Sequence, residues 1–507
     1  MHRRFTSATA FVLYIAACKL IFHLLTAGRY GIFRDELYYL ACSEHLSWGY
    51  VDQPPLIALI AWIARHAFGD SLLGLRLFPA IAGAALVWLA GMLAREMGGG
   101  RFAQSLAALA VATAPIYLVF DHWLTMNAFD PLIWMGCAWC VLRAANTSDA
   151  RYFFAFGVLV GIGIEDKYSV AFFVIGVVFG LLLTPNRRFL FSRWFWLGAA
   201  AALAIFLPNL IWLAAHHFPF LELMHNVRSS GRDVVRGPVA FMADQASTMN
   251  PVSFPLWAGG LLWLIATQKG RRFAALGWTF VAVVTMFIAL RGKNYYVSPV
   301  YPVMFAAGAV AFEQITAARA RWSRAVYFAV LPLTAAALAP IVSPVLPVEV
   351  YIRYQQAIGV KPSEAEHQAT GPLPQYFADE FGWEDMARET ARVYNGLPPE
   401  ERARTAIFAN NYGEAGAIDF FGPRFGLPKA ICAHQSYWLW GPRDYDGQTM
   451  IVLGSNGRDD REYFEIVQDV GRVSDRYSRQ DEHFDIFLCR GFKASLPSVW
   501  AAIKHWN

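Results

Sequence analysis

The sequence predicts a mainly α-helical, polytopic membrane protein, a bundle of transmembrane helices with a small extracytoplasmic α/β domain at the C-terminal end. Of the 507 residues, 56% are hydrophobic and only 16% are charged, against about 25% charged in an ordinary soluble domain. About eleven apolar runs, and at most thirteen, approach the roughly 17–25 residues that a membrane-spanning helix needs. The charge also changes sign along the chain: residues 1–347 carry 26 Lys and Arg against 15 Asp and Glu (+11), and residues 348–507 carry 17 against 23 (−6).

The predicted spans follow one another through residues 1–347. Their bounds are 6–26, 71–94, 103–120, 126–143, 151–166, 168–184, 194–215, 252–267, 273–290, 296–313 and 325–347. We interpret the first run as an uncleaved span, because no clear A-x-A cleavage site follows it. The run 54–68 is apolar but too short to span, so it predicts an interfacial or re-entrant helix.

Basic residues cluster in alternate loops, and this bias orients the spans. With the N-terminus placed inside, the outer-face loops include 27–70 and 216–250, and an odd number of spans places the domain 348–507 outside. Twelve of the 15 acidic residues in the membrane region then fall on the outer side. Carboxylates near hydrocarbon are costly and tend to mark function, although longer outer loops would hold more polar residues in any case.

The C-terminal domain shows both strand and helix patterns. Short β-type runs occur at 405–409, 450–453 and 484–488, and helical patterns occur near 379–394 and 459–468. Cys432 and Cys489 lie in this domain and could form a disulfide. The aromatic residues Tyr412, Trp438 and Trp440 could line an acceptor surface or form the domain core.

An adjacent pair of carboxylates, Asp35 and Glu36, comes just after the first span. On a short helix the two side chains point about 100° apart, so one can face a cavity while the other caps the helix or pairs with Arg34. Burial beside apolar surface raises the pKa of a carboxyl group, which suits it as a base. The alternative is a capping pair on a surface helix.

Two further acidic elements lie at the outer ends of spans. Asp130 is near the start of the fourth span, where an ordinary helix cap is the alternative interpretation. A tight turn holds Glu165, Asp166, Lys167 and Tyr168. Lys167 could bind a phosphate as a point charge, or it could only neutralise a neighbouring carboxylate.

Cations on the outer side are not explained by the inside-positive rule. They occur in a segment with Lys293, Tyr295 and Tyr296, and at Arg228 and Arg232 in the loop 216–250. A phosphate partner or the carboxylates would account for them. Carboxylates and cations together at a membrane surface fit group transfer from a lipid phosphate, where a base deprotonates the acceptor and cations stabilise the leaving group.

These motifs resemble a known family. The Asp-Glu pair, D-Q-P-P-L, N-A-F-D-P, D-K-Y-S and K-N-Y-Y…P-x-Y-P resemble polyprenyl-phosphate-sugar-dependent membrane glycosyltransferases, relatives of the dolichyl-phosphate-mannose protein mannosyltransferases and the lipid A aminoarabinose transferases. The resemblance covers most of residues 1–320 and implies a C-type glycosyltransferase fold with inversion at the anomeric carbon. It implies that Asp35 is the catalytic or acceptor-orienting carboxylate and Asp130 the second acidic position. Gln53 departs from the pattern, since aminoarabinose transferases have Lys before the Pro-Pro.

We therefore predict an inverting glycosyltransferase of the bacterial inner membrane, which moves a hexosyl or pentosyl group from a polyprenyl-phosphate donor to an extracytoplasmic glycolipid, glycan or protein. Its partners are this donor, membrane lipids and the acceptor, without nucleic acid. The predicted catalytic residues are Asp35, Glu36 and Asp130. The predicted phosphate-binding residues are Lys167, Arg228, Arg232 and Lys293, and the substrate-lining ones are Asp52, Gln53, Tyr168, Tyr295 and Tyr296.

No set of metal ligands is convincing in the sequence. We expect no cofactor, with a divalent metal ion left open. Two other functions compete with this prediction. A transporter or lipid-linked sugar flippase would place charges near the bilayer midplane, and a non-catalytic scaffold would only present its C-terminal domain.

Overall fold

The computed structural model describes residues 8–231, 236–318, 320–360 and 371–507, and helices dominate its first 342 residues. Apolar stretches without charge become helices here because a helix satisfies its backbone hydrogen bonds internally, which a membrane requires. In chain order the helices are α1 Ala8–Thr26, α2 Arg34–Glu44, α3 Leu56–Phe68, α4 Leu72–Glu96, α5 Arg101–Ala112, α6 Pro115–Phe120, α7 Met126–Thr147, α8 Tyr152–Asp166, α9 Val170–Leu182, α10 Arg193–Ala215, α11 Pro219–Ser230, α12 Pro238–Thr248, α13 Phe254–Ala266, α14 Ala274–Ala289, α15 Tyr301–Ile315 and α16 Arg321–Val342.

Six helices of the described chain are long and apolar enough to cross a membrane, and there are up to eight if each of two bent pairs is one span. The bends are 118° between Val170–Leu182 and Pro185–Phe191, and 105° between Pro238–Thr248 and Pro251–Ala266. Proline begins the second member of each pair, where its missing N–H is no loss. The multi-pass helical fold is confirmed, whereas the number of eleven spans stays a prediction.

Glycines let two predicted spans touch through their backbones. A Cβ atom on Gly157 of α8 would lie 2.1 Å from the carbonyl oxygen of Gly198 in α10, and a Cβ on Gly198 would lie 2.2 Å from the carbonyl oxygen of Phe153. In lipid the hydrophobic effect does not drive helices together. Small residues at such crossings let the backbones approach closely, so that van der Waals packing stabilises the helix pair.

By internal contacts the chain divides into two compact units. Unit 1 comprises Met1–Arg29, Ala67–Trp212 and Val235–Leu346, and unit 2 comprises Tyr30–His66, Leu213–Val234 and Pro347–Asn507. The predicted outer loop 27–70 therefore falls largely into the unit that also contains the C-terminal domain. The core of unit 1 is a continuous apolar cluster from α1 to α16.

The C-terminal domain is built on a five-stranded mixed sheet, which confirms a small sheet in this region. Its strands, β1 Thr405–Ala409, β2 Ile431–Cys432, β3 Thr449–Val452, β4 Phe464–Val473 and β5 Phe484–Phe492, lie in the order β2-β1-β3-β5-β4. The first three are parallel, and β5 is antiparallel to both of its neighbours. The helices of this region are α17 Val348–Ala357, α18 Gln375–Ala378, α19 Trp383–Asn395, α20 Pro399–Arg402, α21 Tyr412–Phe421, α22 Gln435–Trp440, α23 Asp460–Tyr463 and α24 Leu496–Val499.

One expectation for this domain is wrong, and one possibility that the sequence left open is excluded. The helix predicted near 459–468 ends after one turn, and residues from Phe464 onward form the edge strand β4 because pairing with β5 overrides the local helical pattern. Cys432 and Cys489 are free thiols. Their strands are separated by β1 and β3, about 14 Å at 4.7–4.9 Å per strand spacing, and a disulfide cannot bridge that distance.

Candidate functional site

Asp35 and Glu36 lie in the first turn of α2, and the structure gives them different roles. The backbone N–H of Phe33 donates a hydrogen bond to Oε2 of Glu36 over 2.9 Å. Glu36 is completely buried and thus caps its own helix, satisfying a backbone donor that the first turn leaves without a partner. Asp35 keeps its carboxylate for a partner outside the helix.

One partner of Asp35 is Tyr412, the first residue of α21, 377 positions away in the sequence. The Tyr412 hydroxyl donates to Oδ1 of Asp35 over 2.9 Å, and the Arg34 guanidinium lies 4.8 Å from the centroid of the same ring. The helices can approach because α21 has glycines on this face: a Cβ on Gly413 would lie 2.8 Å from Cγ of Arg34, and one on Gly416 would lie 2.9 Å from Cβ of Leu37.

Asp52 has a comparable tyrosine partner in unit 2. The Tyr38 hydroxyl donates to Oδ1 of Asp52 over 2.8 Å and accepts from the backbone N–H of Ser436 over 3.2 Å. Burial raises the pKa of Asp52 to about 7, against the lowering effect of the Tyr38 hydrogen bond. Next to it Gln53 is buried, and its amide Nε2 lies 3.5 Å from Sγ of Cys42.

A buried network of charges continues from Arg34 into the C-terminal domain. The backbone N–H of Arg34 donates to the carbonyl oxygen of Asp379, whose carboxylate pairs with Arg479 at 3.1 Å. Burial raises the pKa of Asp379 to about 6, partly offset by Arg479 and Arg34. Burial and the neighbouring Glu482 raise the pKa of Glu414. Arg34 is thus surrounded by acidic groups that compensate its charge.

In unit 1 the structure brings together three predicted residues, Asp130, Lys167 and Tyr296. Asp130 is buried in α7 beyond Thr125, the N-cap residue, so it is not the cap of that helix. Its Oδ2 accepts from the Ser169 hydroxyl over 2.8 Å and lies 4.0 Å from Nζ of Lys167. Nζ of Lys167 lies 4.8 Å from the centroid of the Tyr296 ring and donates to Oδ1 of Asn127 over 2.6 Å.

The other predicted residues of unit 1 lie around this cluster. Tyr295 packs edge-on against Tyr296 with ring centroids 4.8 Å apart. The Tyr168 hydroxyl donates to Oδ1 of Asn209 over 3.1 Å. Lys293 is half-buried directly before the 3₁₀ segment Asn294–Val300. Of the predicted cations in loop 216–250, Arg228 is exposed at the end of α11, and Arg232 lies outside the described residues.

Several contacts were missed by the sequence reasoning, which did not assign Asn127, Ser169 or Tyr38 to the site. The first two stand in the motifs N-A-F-D-P and D-K-Y-S, so the motif positions were the available signal. Tyr412, which the sequence predicts at an acceptor surface or in the domain core, contacts Asp35. Trp438 belongs to the domain core, since its indole N–H donates to the carbonyl oxygen of Trp500 over 2.8 Å. Trp440 stacks on His45 with ring centroids 4.3 Å apart.

Within the described residues no group of three or more His, Cys, Asp or Glu side chains is arranged to hold a metal ion. The carboxylates of Asp35, Asp52, Asp130 and Asp379 instead have tyrosine, serine, lysine or arginine partners. Such a set can accept a proton, donate hydrogen bonds and hold an anion. This chemistry is that of acid–base and charge-stabilised group transfer.

Comparison with known proteins finds similar sequences and similar folds. The family described as dolichyl-phosphate-mannose-protein mannosyltransferase matches residues 52–212, which include Asp52, Asp130 and Lys167 but not Asp35. Lipid A galacturonosyltransferase RgtD from Rhizobium johnstonii is 25% identical over 268 residues, or 50% of this chain and 54% of that protein. The match thus spans about half the length of this curated relative.

The fold is similar to that of a solved membrane protein over almost the whole chain. ArnT from Cupriavidus metallidurans, bound to undecaprenyl phosphate, superposes with a TM-score of 0.62 at 15% identity, covering 95% of this chain and 98% of that one. The same protein in the apo state gives a TM-score of 0.60. The fold is that of an integral, multi-pass membrane protein similar to ArnT. The predicted resemblance to the protein mannosyltransferases is confirmed.

Proposed function

We propose that the protein transfers a sugar from a polyprenyl phosphate to an acceptor hydroxyl outside the cytoplasm, with inversion at the anomeric carbon. The observation that carries this proposal is the hydrogen bond from Tyr412 to Asp35, because it orients a partly buried carboxylate that can accept the proton of the acceptor hydroxyl. The donor class is supported by the undecaprenyl phosphate bound to the ArnT that shares the fold. The acceptor is a glycolipid, glycan or protein.

The reaction is a single displacement in which Asp35 is the base. The acceptor oxygen forms a bond to the anomeric carbon while the bond from that carbon to the phosphate oxygen breaks. The acceptor proton moves to the carboxylate of Asp35, and the polyprenyl phosphate leaves with the bonding electrons. The Tyr412 hydroxyl orients this carboxylate through its hydrogen bond, and Arg34 balances its charge.

The leaving phosphate needs positive charge. In unit 1 we assign Lys167 to it, since its ammonium group is held by Asn127 and by the Tyr296 ring and only loosely paired with Asp130 at 4.0 Å. Lys293 and Arg228 are further candidates for phosphate binding, by their sequence positions and charge.

The inside-positive bias of the loops supports a cytoplasmic N-terminus and an extracytoplasmic C-terminal domain. No cofactor enters the scheme, and the divalent ion left open by the sequence is tested by transfer in the presence of EDTA.

Replacing Asp35 by Asn tests the proposed base. Asn keeps an oxygen that can accept from Tyr412 but cannot take a proton, so we expect transfer of lipid-linked sugar in membranes to fall by about 10²–10⁴-fold. Asp385→Asn is the matched control, because Asp385 lies exposed on α19 and pairs with Arg388 of the same helix. Near-normal transfer by the well-expressed Asp35→Asn protein would refute the assignment. Movement of substrate across proteoliposomes without bond cleavage would favour a flippase.

A further inference from the structure

The C-terminal domain contains a cleft that is open to solvent, here named the C-terminal cleft. Its volume is about 490 Å³, and the sites of small ligands commonly have volumes of roughly 300–1,000 Å³. Most of its lining side chains are exposed, so a ligand in solution reaches them. The polar residues that line it, all in unit 2, are Arg404, Lys429, Arg443, Asp444, Tyr445 and Asp446.

Two guanidinium groups of this cleft lack a carboxylate partner within the described residues. Neither Arg404 nor Arg443 takes part in an ion pair in that part of the chain. Nε of Arg443 donates to the carbonyl oxygen of Ala430 over 3.2 Å, which fixes the side chain without using its two terminal nitrogens. Guanidinium groups bind a phosphate or a carboxylate through two parallel hydrogen bonds. The pair of arginines therefore favours a ligand with such an anionic group.

The backbone of Arg443 is strained. Its φ of 54° lies in the left-handed region, which is unfavourable for a residue that has a Cβ atom. Strained backbone of this kind is found at ligand sites, where the surrounding contacts hold it in place. The hydrogen bond to Ala430 is one such contact, so the structure retains a costly conformation that places Arg443 in the cleft.

Lys429 connects the cleft to α2, the helix that carries Asp35. Nζ of Lys429 donates to the two carboxylate oxygens of Glu44 over 2.9 and 2.7 Å, so the charge of this lysine is balanced. Glu44 is the last residue of α2, and Asp35 lies in the first turn of the same helix. The two positions are about 14 Å apart along the helix axis. The C-terminal cleft thus lies beside the far end of α2, away from Asp35.

The two aspartates of the cleft restrict the ligand further. Oδ1 of Asp446 accepts from the backbone N–H of Gln448 over 2.9 Å and so stabilises its own turn, whereas Asp444 is exposed. Carboxylates repel a bare anion, but they accept hydrogen bonds from hydroxyl groups. A ligand that satisfies the arginines and the aspartates together carries one anionic group and several hydroxyls. This is the chemistry of an acidic sugar.

Resting on the proposed function, we propose that the C-terminal cleft binds an acidic sugar of the acceptor glycan, at a distance from the hydroxyl that reacts. Arg404 and Arg443 hold the phosphate or carboxylate of this sugar, and Asp444 accepts from its hydroxyls. Because the cleft and Asp35 lie at opposite ends of α2, the acceptor is longer than a single sugar ring.

The test measures binding to the purified full-length chain in phosphatidylcholine nanodiscs by calorimetric titration. The probes are trigalacturonate, phosphorylated maltotriose, maltotriose and inorganic phosphate. We expect at least one acidic trisaccharide to bind about tenfold more tightly than both maltotriose and inorganic phosphate, the scale of one hydrogen bond to a charged group. The two acidic probes distinguish a carboxylate from a phosphate as the group that is bound. Equal affinities for maltotriose and both acidic probes would overturn the inference.

Variants assign the binding to the cleft. Arg404→Gln and Arg443→Gln should each weaken binding of the tighter acidic probe about tenfold and leave maltotriose unchanged. The exposed side chain of Arg404 makes no hydrogen bond or ion pair to a described residue, so its replacement keeps the test independent of folding. Arg458→Gln changes an exposed arginine of the same domain outside the cleft and should alter neither affinity. A preference for the acidic probe that survives both cleft variants would also overturn the inference.

Sugar transfer in membranes separates this inference from the proposed function. Arg443→Gln should raise KM for the acceptor about tenfold with kcat unchanged, because the cleft holds the acceptor away from the reacting atoms. Transfer that requires Asp35 while the wild-type chain shows no preference for an acidic probe would overturn the assignment of the cleft alone. Near-normal transfer by the Asp35→Asn protein would overturn the proposed function, and with it the role of the cleft as an acceptor site.

Discussion

The Tyr412 hydroxyl group helps to orient the Asp35 side chain. Tyr412→Phe removes that hydroxyl and keeps the ring under Arg34. We expect kcat of sugar transfer to fall about tenfold with KM little changed, since the lost hydrogen bond is to a charged group. Tyr437→Phe is the matched control, because its hydroxyl donates over 3.0 Å to another buried carboxylate, Asp419. An equal loss of kcat in both variants would show a structural effect only.

Asp52 makes the stability of the folded protein depend on pH. Burial raises its pKa to about 7, above the roughly 3.9 of an unfolded chain. Between these values the folded state holds one more proton than the unfolded state, so stability falls as pH rises from about 4 to 7.

Asp52→Asn should flatten this dependence, measured as unfolding midpoints in detergent at several pH values. The expected gain above pH 7 is roughly 2–4 kcal/mol, from about three pKa units. Asp446→Asn changes an exposed carboxylate and should leave the slope as in the wild type. A slope that is the same in the Asp52→Asn protein contradicts the assignment of the pH dependence to Asp52.

At the scale of elements, one buried ion pair ties the first helix to the end of α6. Nζ of Lys19 lies 2.7 Å from Oδ2 of Asp121, and both side chains are 1% exposed. The same ammonium donates to the carbonyl oxygen of Tyr117. A Cβ on Gly83 would lie 2.2 Å from this carboxylate oxygen, so α4 is close-packed against the pair.

Lys19→Met should destabilise the protein by about 3–5 kcal/mol, because it leaves the Asp121 carboxylate buried without its cation. Adding Asp121→Asn should restore most of the loss. Denaturant unfolding in detergent measures both. The comparison is Arg65→Met, which breaks an ion pair of similar length to Glu44 at a more exposed position and should cost no more than about 1 kcal/mol. Equal costs for the two single variants would contradict the argument from burial.

At the scale of the whole molecule, the C-terminal domain completes unit 2 and is more than an appendage. Tyr412 and Ser436 bond to the segment 30–66, at Asp35 and at Tyr38 and Val51. A chain ending at residue 347 lacks these partners. We expect it to lose sugar transfer and to become sensitive to trypsin at Arg34, measured by cleavage time courses in membranes. Full transfer by the truncated chain would show that the domain is dispensable and would favour a scaffold role for it.

The sequence by itself determined the class of the molecule. Its low charge content and apolar runs predict a multi-pass membrane protein, because only helices and barrels satisfy their backbone in lipid. Its motifs point to Asp35, Asp130 and Lys167, and the resemblance they carry is confirmed. These features are local in the chain, and local patterns are readable without a fold.

Only the tertiary structure decided which of these side chains meet. The pairs Asp35–Tyr412 and Lys19–Asp121 join residues 377 and 102 positions apart, and no local periodicity encodes such a pairing. The same reason explains the error at 459–468, where pairing with β5 outweighs helix propensity. It also separates Glu36 from Asp35: adjacent in sequence, one caps a helix and the other faces Tyr412, because a helix turns neighbouring side chains about 100° apart.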